Sequence, residues 1–104
     1  MLFIRIVLLF ALFTSMLVDA EPLDGLVLYT HYQCHICHGE NGLSPAQAGY
    51  PVIGGQDKMY LIRQILDIRD GVRDNGKANV MRPLVKQMKD KEIESVADYL
   101  SSQH

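Results

Sequence analysis

One short motif constrains the fold of this chain more than any other feature. Cys34 and Cys37 lie three positions apart, and His38 follows directly, which makes the pattern C-x-x-C-H. Residues three apart on a helical turn face the same side, so both thiols can meet the two vinyl groups at one edge of a porphyrin. This pattern is typical of covalent attachment of haem c. The motif therefore predicts one bound haem, attached through Cys34 and Cys37, with His38 as a ligand of its iron.

Residues 1–20 have the form of an export signal. A short positive region ends at Arg5, an apolar run continues to Val18, and Ala20 completes a site that signal peptidase accepts. We predict a cleaved signal peptide at 1–20, a mature domain at 21–104 and a periplasmic location. The alternative is a retained membrane anchor, but the uninterrupted apolar run is shorter than the roughly 20 residues of a spanning helix. No stable membrane insertion is therefore expected after cleavage.

The composition of the remaining chain is poor in core-forming aromatic residues. All three phenylalanines lie within residues 1–20, tryptophan is absent, and Cys34 and Cys37 are the only cysteines. A domain of this size needs a metal, disulfides or another internal support, and a buried porphyrin would supply it. The formal net charge is −2 with no dense run of Lys or Arg, so nucleic acid is not an expected partner.

The segment after the signal predicts a helix from about Gly25 to Cys34. Gly25, Leu28, Tyr29 and Tyr32 recur at helical spacing, and Asp24 is a suitable N-cap. The apolar run 26–29 alone would also suit a short buried strand.

The rest of the chain reads as two further helices joined by loops. Frequent glycine and proline predict a loop over 39–55. A helix is expected over 57–70, followed by a polar loop over 70–78. The last helix is predicted to begin with Asp90 as its N-cap and to carry a clean apolar stripe. With no convincing strand elsewhere, the predicted class is all-α.

A second iron ligand is expected among the methionines that follow the signal. Met81 comes after the irregular stretch 74–80, and a loop there can carry a soft sulfur to the haem face opposite His38, which favours electron transfer. Met88 precedes the last helix, where packing is the simpler role. Met59 lies at the start of the second helix and is expected to pack. We predict Met81 as the axial ligand, with Met88 as the alternative.

Two other uses of the cysteines are less consistent with the sequence. A zinc site from Cys34, Cys37, His31 and His35 would suit the ligand preferences of that metal, but it would not account for Met81. A thioredoxin-like redox pair requires a βαβ pattern around the cysteines, and none is present.

The C-x-x-C-H motif is the first of several sequence blocks that occur in a fixed order. They are 34–39 with Gly42, the segment 51–56, Tyr60-Leu61, the segment 69–73, Met81 and the closing 93–100 helix. With these blocks, nearly the whole chain after the signal resembles the small class I cytochromes c of bacteria, of the cytochrome c553 and cytochrome c4 type. Cytochrome c4 has two such domains in tandem, so single-domain carriers are the nearer match.

The resemblance implies an all-α class I cytochrome c fold, with three to four helices wrapped around one covalent haem c. Gly25 would lie where the first and last helices cross. The carbonyl of Pro51 would accept a hydrogen bond from His38, and Met81 would be the second axial ligand. Arginines of the 69–73 block would lie near the haem propionates, or else at a solvated helix end.

The function implied is that of a diffusible periplasmic carrier of one electron. Such a protein transforms no substrate, and no general base or nucleophile is evident, so the chain is not expected to be an enzyme. Its partners would be larger redox proteins met through small transient interfaces. The alternative is a haem subunit that accepts electrons within a dehydrogenase or oxidase complex.

Overall fold

The computed structural model describes residues 23–104, which form five α-helices and no strand. The helices are α1 (Gly25–His31), α2 (Cys34–His38), α3 (Lys58–Arg69), α4 (Ala78–Val85) and α5 (Asp90–Ser101). The all-α class is confirmed, and the strand alternative for 26–29 is wrong. The predicted signal peptide at 1–20 lies outside the described residues and stays a prediction. Within residues 23–104, no helix has the length and apolar character needed to cross a membrane.

Helix α5 is the centre of the fold. It packs against both α1 and α3, while α4 packs against α3. The buried cluster is supplied mainly by the apolar faces of these helices. Its members are Tyr29, Leu61, Ile65, Ile68, Ala78, Val85, Met88, Ile93, Val96, Ala97 and Leu100. The stripe that predicted the last helix is therefore the core face of α5.

Helices α1 and α5 cross at Gly25, as the family resemblance implied. A Cβ at Gly25 would overlap the carbonyl oxygen of Ser95 and lie only 2.7 Å from Cβ of Tyr99. Only glycine permits the two backbones to approach this closely. The predicted role of Gly25 is confirmed.

The first helix is shorter than predicted. Its N-terminus is as expected, since Asp24 Oδ1 accepts hydrogen bonds from the amides of Leu26 (2.9 Å) and Val27 (3.2 Å). The helix stops at His31 because Gln33 adopts a left-handed conformation with φ of 64°. This turn separates α1 from α2, so the prediction of one helix continuing to Cys34 is wrong.

Helix α3 matches its prediction closely, and α5 differs at its first residue. Asp57 caps α3 by accepting a 2.9 Å hydrogen bond from the Tyr60 amide. Asp90 is the first residue of α5 instead of its N-cap, because extended backbone at Lys89 begins the helix one residue earlier. The Glu92 carboxylate accepts from the Lys89 amide at 3.0 Å and completes this end.

Helix α4 was not predicted from the sequence. Met81 lies inside this helix, and not in a loop, although Pro83 is also inside it. Proline in a helix interior removes a hydrogen bond and normally breaks the helix. Burial of Ala78 and Val85 in the core outweighs that local preference.

Candidate haem site

Helix α2 consists of the C-x-x-C-H motif alone. The five residues form one short helix, so the two thiols lie on the same side of a turn, as the spacing predicted. Neither cysteine is in a disulfide, and both are half-buried. Burial raises the pKa of the Cys34 thiol to about 11, and the neighbouring Cys37 adds to the rise. The Cys34 thiol is thus neutral at pH 7 and lacks the lowered pKa of a redox-active cysteine.

His38 is held in one orientation by the loop that follows it. It is buried, with 8 % of its surface exposed. Its Nδ1 lies 3.0 Å from the carbonyl oxygen of Pro51. A carbonyl only accepts, so Nδ1 carries the proton and Nε2 is left with a lone pair for a metal. This bond fixes the ring and makes the imidazole a stronger ligand. The predicted contact between His38 and Pro51 is confirmed.

Two tyrosines fix the backbone directly after His38. The hydroxyl of Tyr29, which is fully buried, donates to the Gly39 carbonyl at 2.6 Å. The hydroxyl of Tyr99 donates to the Glu40 carbonyl at 3.2 Å. The two rings pack with centroids 5.5 Å apart. Burial, with a smaller contribution from Cys34, raises the pKa of Tyr29 well above its ordinary value.

The hydrogen bonds of Tyr29 and Tyr99 to the backbone after His38 were not predicted from the sequence. A usable signal was present, because Tyr29 lies on the apolar stripe of α1 and a buried tyrosine hydroxyl normally finds a polar partner. Which carbonyl it reaches depends on how α1, α2 and α5 pack, and periodicity carries no information on that.

The loop over 39–57 is tied to the rest of the protein at several points. The Ala46 amide donates to the Cys37 carbonyl at 2.9 Å, which brings the loop back onto α2. The Gly55 amide donates to the Leu100 carbonyl at 2.8 Å. These bonds make the loop a fixed support for Pro51, so the His38 orientation is built into the fold.

The three methionines lie in different environments. Met88 is 3 % exposed within the core cluster, and Met59 is 67 % exposed on α3. Met81 is half-buried and packs against the core from α4. Of the three, Met81 is neither enclosed in the core nor largely exposed, and its role as the axial ligand stays a prediction.

The arginines of the 69–73 block have protein partners. Arg69 donates to the Met88 carbonyl at 3.2 Å and pairs with Asp90 at 2.6 Å. Arg73 donates to the side chain of Gln64 at 2.8 Å. These contacts tie the end of the helix to the surrounding protein, and the position of the arginines near the haem propionates stays a prediction.

The zinc alternative finds no support in this geometry. No group of three His, Cys, Asp or Glu side chains within the described part of the chain comes together as a metal site.

The donor set fits a covalently bound haem. Two unpaired thiols lie one helical turn apart, next to a buried imidazole whose Nε2 is available. No Cα atom of α2 lies within 8 Å of one in α4. The helix that contains His38 and the helix that contains Met81 therefore do not pack directly against each other. Iron takes imidazole and thioether sulfur as its two axial ligands in cytochromes c. The residues present therefore suit haem c better than a bare metal ion.

Comparison with known proteins agrees with this chemistry. The family model described as Cytochrome c matches residues 23–104. A cytochrome c-553 from Nitratidesulfovibrio vulgaris is 35 % identical over 82 residues, which cover 79 % of this chain and 78 % of that protein. A protein from Stutzerimonas stutzeri named thiosulfate dehydrogenase electron acceptor is 33 % identical over 99 residues, covering 88 % of this chain and 44 % of the relative.

Solved structures give the same result. The crystal structure of reduced recombinant cytochrome c4 from Pseudomonas stutzeri superposes with a TM-score of 0.67 at 32 % identity, covering 77 % of this chain and 46 % of that chain. The chain spans about a third of the length of the cytochrome c4 sequences that it matches. On its helical fold, its motif and these matches, the chain belongs to the cytochrome c family, whose members carry covalently bound haem c.

Proposed function

We propose that this chain is a periplasmic one-electron carrier with His/Met axial ligation. Cys34 and Cys37 would attach the haem through thioether bonds, and His38 and Met81 would be the axial ligands. Haem iron supplies a one-electron ferric/ferrous couple, whose potential a methionine ligand raises. The observation that carries the proposal is the 3.0 Å contact between His38 Nδ1 and the Pro51 carbonyl, because it leaves Nε2 poised for a metal.

The protein residues act by holding positions instead of by transforming a substrate. Pro51 orients His38, and Tyr29 and Tyr99 fix the backbone that follows it. A ligand set that keeps the same geometry in both oxidation states needs little rearrangement when an electron is gained or lost. In this proposal the chain has no enzymatic activity of its own, and larger redox proteins bind it transiently as donor and acceptor.

The attachment is tested by expressing the full chain with the machinery that matures c-type haem. After denaturation in acidic organic solvent, the haem should stay with the polypeptide, and it should be extracted from a variant with Cys34→Ala and Cys37→Ala. Haem that leaves the unmodified protein would contradict the covalent assignment. The mature protein should begin at Glu21 and appear in the periplasmic fraction.

The second axial ligand is tested by comparing Met81→Ala with Met88→Ala. The first should abolish the weak ferric absorption band of a sulfur–iron bond and lower the reduction potential. The second should retain the band but lose stability by about 2–5 kcal/mol, because it leaves a cavity in the core. Loss of the band in Met88→Ala alone would assign the ligand to Met88.

One relative supports a second function. The similarity to a protein named thiosulfate dehydrogenase electron acceptor fits a haem subunit that takes electrons inside an enzyme complex. Size-exclusion chromatography of a native extract distinguishes the two. A species of the mature chain's mass supports the free carrier, whereas co-elution with a dehydrogenase supports the subunit.

A further inference from the structure

Helix α4, which carries Met81, is weak on its own. It has only eight residues, and its N-cap Lys77 makes no side-chain hydrogen bond to it. Pro83 lies inside the helix and cannot donate to the carbonyl four residues earlier. Isolated helices shorter than about 12–15 residues are marginal even without proline. The position of α4 must therefore be set by contacts with the rest of the protein.

Arg82 supplies two of those contacts. Its Nε donates to the Ile68 carbonyl at 3.0 Å, and its Nη2 donates to the Arg73 carbonyl at 3.3 Å. The guanidinium lies close to Gly71, where an added Cβ would be 3.8 Å from Cζ. One half-buried side chain thus joins α4 to the C-terminal end of α3 and to the turn that follows it.

The Ile68 carbonyl, which accepts a hydrogen bond from Arg82, is held in place by packing. Ile68 is 5 % exposed and packs in the core, so its carbonyl is a fixed point. The guanidinium is a charged donor, and hydrogen bonds from charged donors are stronger than neutral ones. Met81 directly precedes Arg82 in the chain, so fixing Arg82 also fixes the backbone of Met81.

We propose that Arg82 is the positioning residue for the axial methionine, acting by fixing α4 to the end of α3. This inference rests on the proposed function, in which Met81 binds the iron. Without the two bonds, α4 is held on α3 by its buried apolar side chains alone. The Met81 sulfur would then leave the iron more readily, and an added ligand would replace it at lower concentration.

Arg69 provides a matched control. It lies at the same end of α3 and also donates to a backbone carbonyl, that of Met88, as well as to Asp90. The segment that it fixes is the turn before α5, not α4. Removal of the Arg69 guanidinium costs more hydrogen bonds, since it also pairs with Asp70, but only Arg82 is next to Met81.

The experiment measures the displacement of the axial sulfur in the haem-loaded ferric protein. Imidazole is titrated into the wild type, Arg82→Gln, Arg82→Lys and Arg69→Gln, and loss of the sulfur–iron absorption band is followed, together with the reduction potential and the denaturation midpoint. We expect the half-displacing imidazole concentration to fall about ten-fold in Arg82→Gln, the order expected for losing bonds from a charged donor. Arg82→Lys can still donate one hydrogen bond, so its half-displacing imidazole concentration should lie between those of Arg82→Gln and the wild type.

The outcomes separate this inference from the proposed function. Weaker sulfur binding and a lower potential in Arg82→Gln, with Arg69→Gln unchanged in both, support the positioning role. Equal effects in the two variants, or none in Arg82→Gln, would overturn it while Met81→Ala still abolishes the band. If Met81→Ala retains the band, the ligand assignment itself fails. If Arg69→Gln alone weakens sulfur binding, Met88 is the axial ligand and Arg69 is the residue that positions it.

Discussion

Replacement of Gly25 by alanine tests the packing of α1 against α5. The added Cβ would overlap the Ser95 carbonyl oxygen and lie 2.7 Å from Cβ of Tyr99 and 3.0 Å from the Ser95 carbonyl carbon. Two of these three atoms belong to the α5 backbone, so no side-chain rotation can relieve the overlap. An ordinary contact needs about 3.4 Å, whereas the added Cβ would lie 2.7 Å from Cβ of Tyr99. The two helices must therefore separate by at least 0.7 Å, the difference between these distances.

The magnitude follows from that separation. A gap of about 0.5–1 Å forfeits a quarter to a half of the dispersion attraction of each contact across it. Alanine's better helix propensity returns at most about 1 kcal/mol. Overpacking of this kind costs about 1–3 kcal/mol and occasionally more. Because the overlap is with backbone, we expect the upper end, about 3 kcal/mol, and a fall in Tm of roughly 12–24 °C for a domain of this size.

Guanidinium denaturation of the haem-loaded protein, followed by far-UV circular dichroism, gives the free energy of unfolding. Gly76→Ala is the control, because its added Cβ meets no atom within 4 Å and its φ of 56° adds only the strain of left-handed backbone, about 1–2 kcal/mol. The expectation is a clearly larger loss in Gly25→Ala. If Gly25→Ala loses no more stability than Gly76→Ala, the close crossing at Gly25 is refuted.

Three smaller perturbations test other parts of the fold. Tyr29→Phe removes the 2.6 Å hydrogen bond to the Gly39 carbonyl and leaves it only the 3.4 Å bond from the Gly42 amide, so urea denaturation should show a loss of about 1–3 kcal/mol; an unchanged midpoint would mean that the tyrosine bond contributes nothing. Asp24→Ala removes the cap of α1 and should cost about 1 kcal/mol, with Asp24→Asn as the conservative control. The hydrogen bond from the Lys89 amide holds the pKa of Glu92 below its ordinary value. Because the pKa of Glu92 is lower in the folded protein than in the unfolded one, its carboxylate contributes stability above the unfolded pKa of about 4.3. That contribution is lost as the pH falls through the folded-state pKa. The stability gap between wild type and Glu92→Gln should therefore be constant above about pH 5 and shrink at lower pH, and a gap that widens in acid would contradict this assignment.

The sequence by itself determined the chemistry of the site and most of the helices. The spacing of Cys34, Cys37 and His38 is a local property, and one helical turn satisfies it without help from the rest of the fold. Helices α3 and α5 were also predictable, because each carries an apolar stripe at helical spacing over twelve residues. Patterns of this kind report which face of a segment is buried.

Only the tertiary structure decided how these parts are arranged. The partner of His38 lies 13 residues away, and the predicted contact depended on a family resemblance and not on local pattern. The break at Gln33 and the helix around Pro83 run against local preference. The helix around Pro83 exists because buried side chains and long-range hydrogen bonds, such as those of Arg82, outweigh a local penalty of about 3 kcal/mol. The sequence thus predicted a haem on this chain, whereas packing fixed the orientation of His38 and the helix in which Met81 lies.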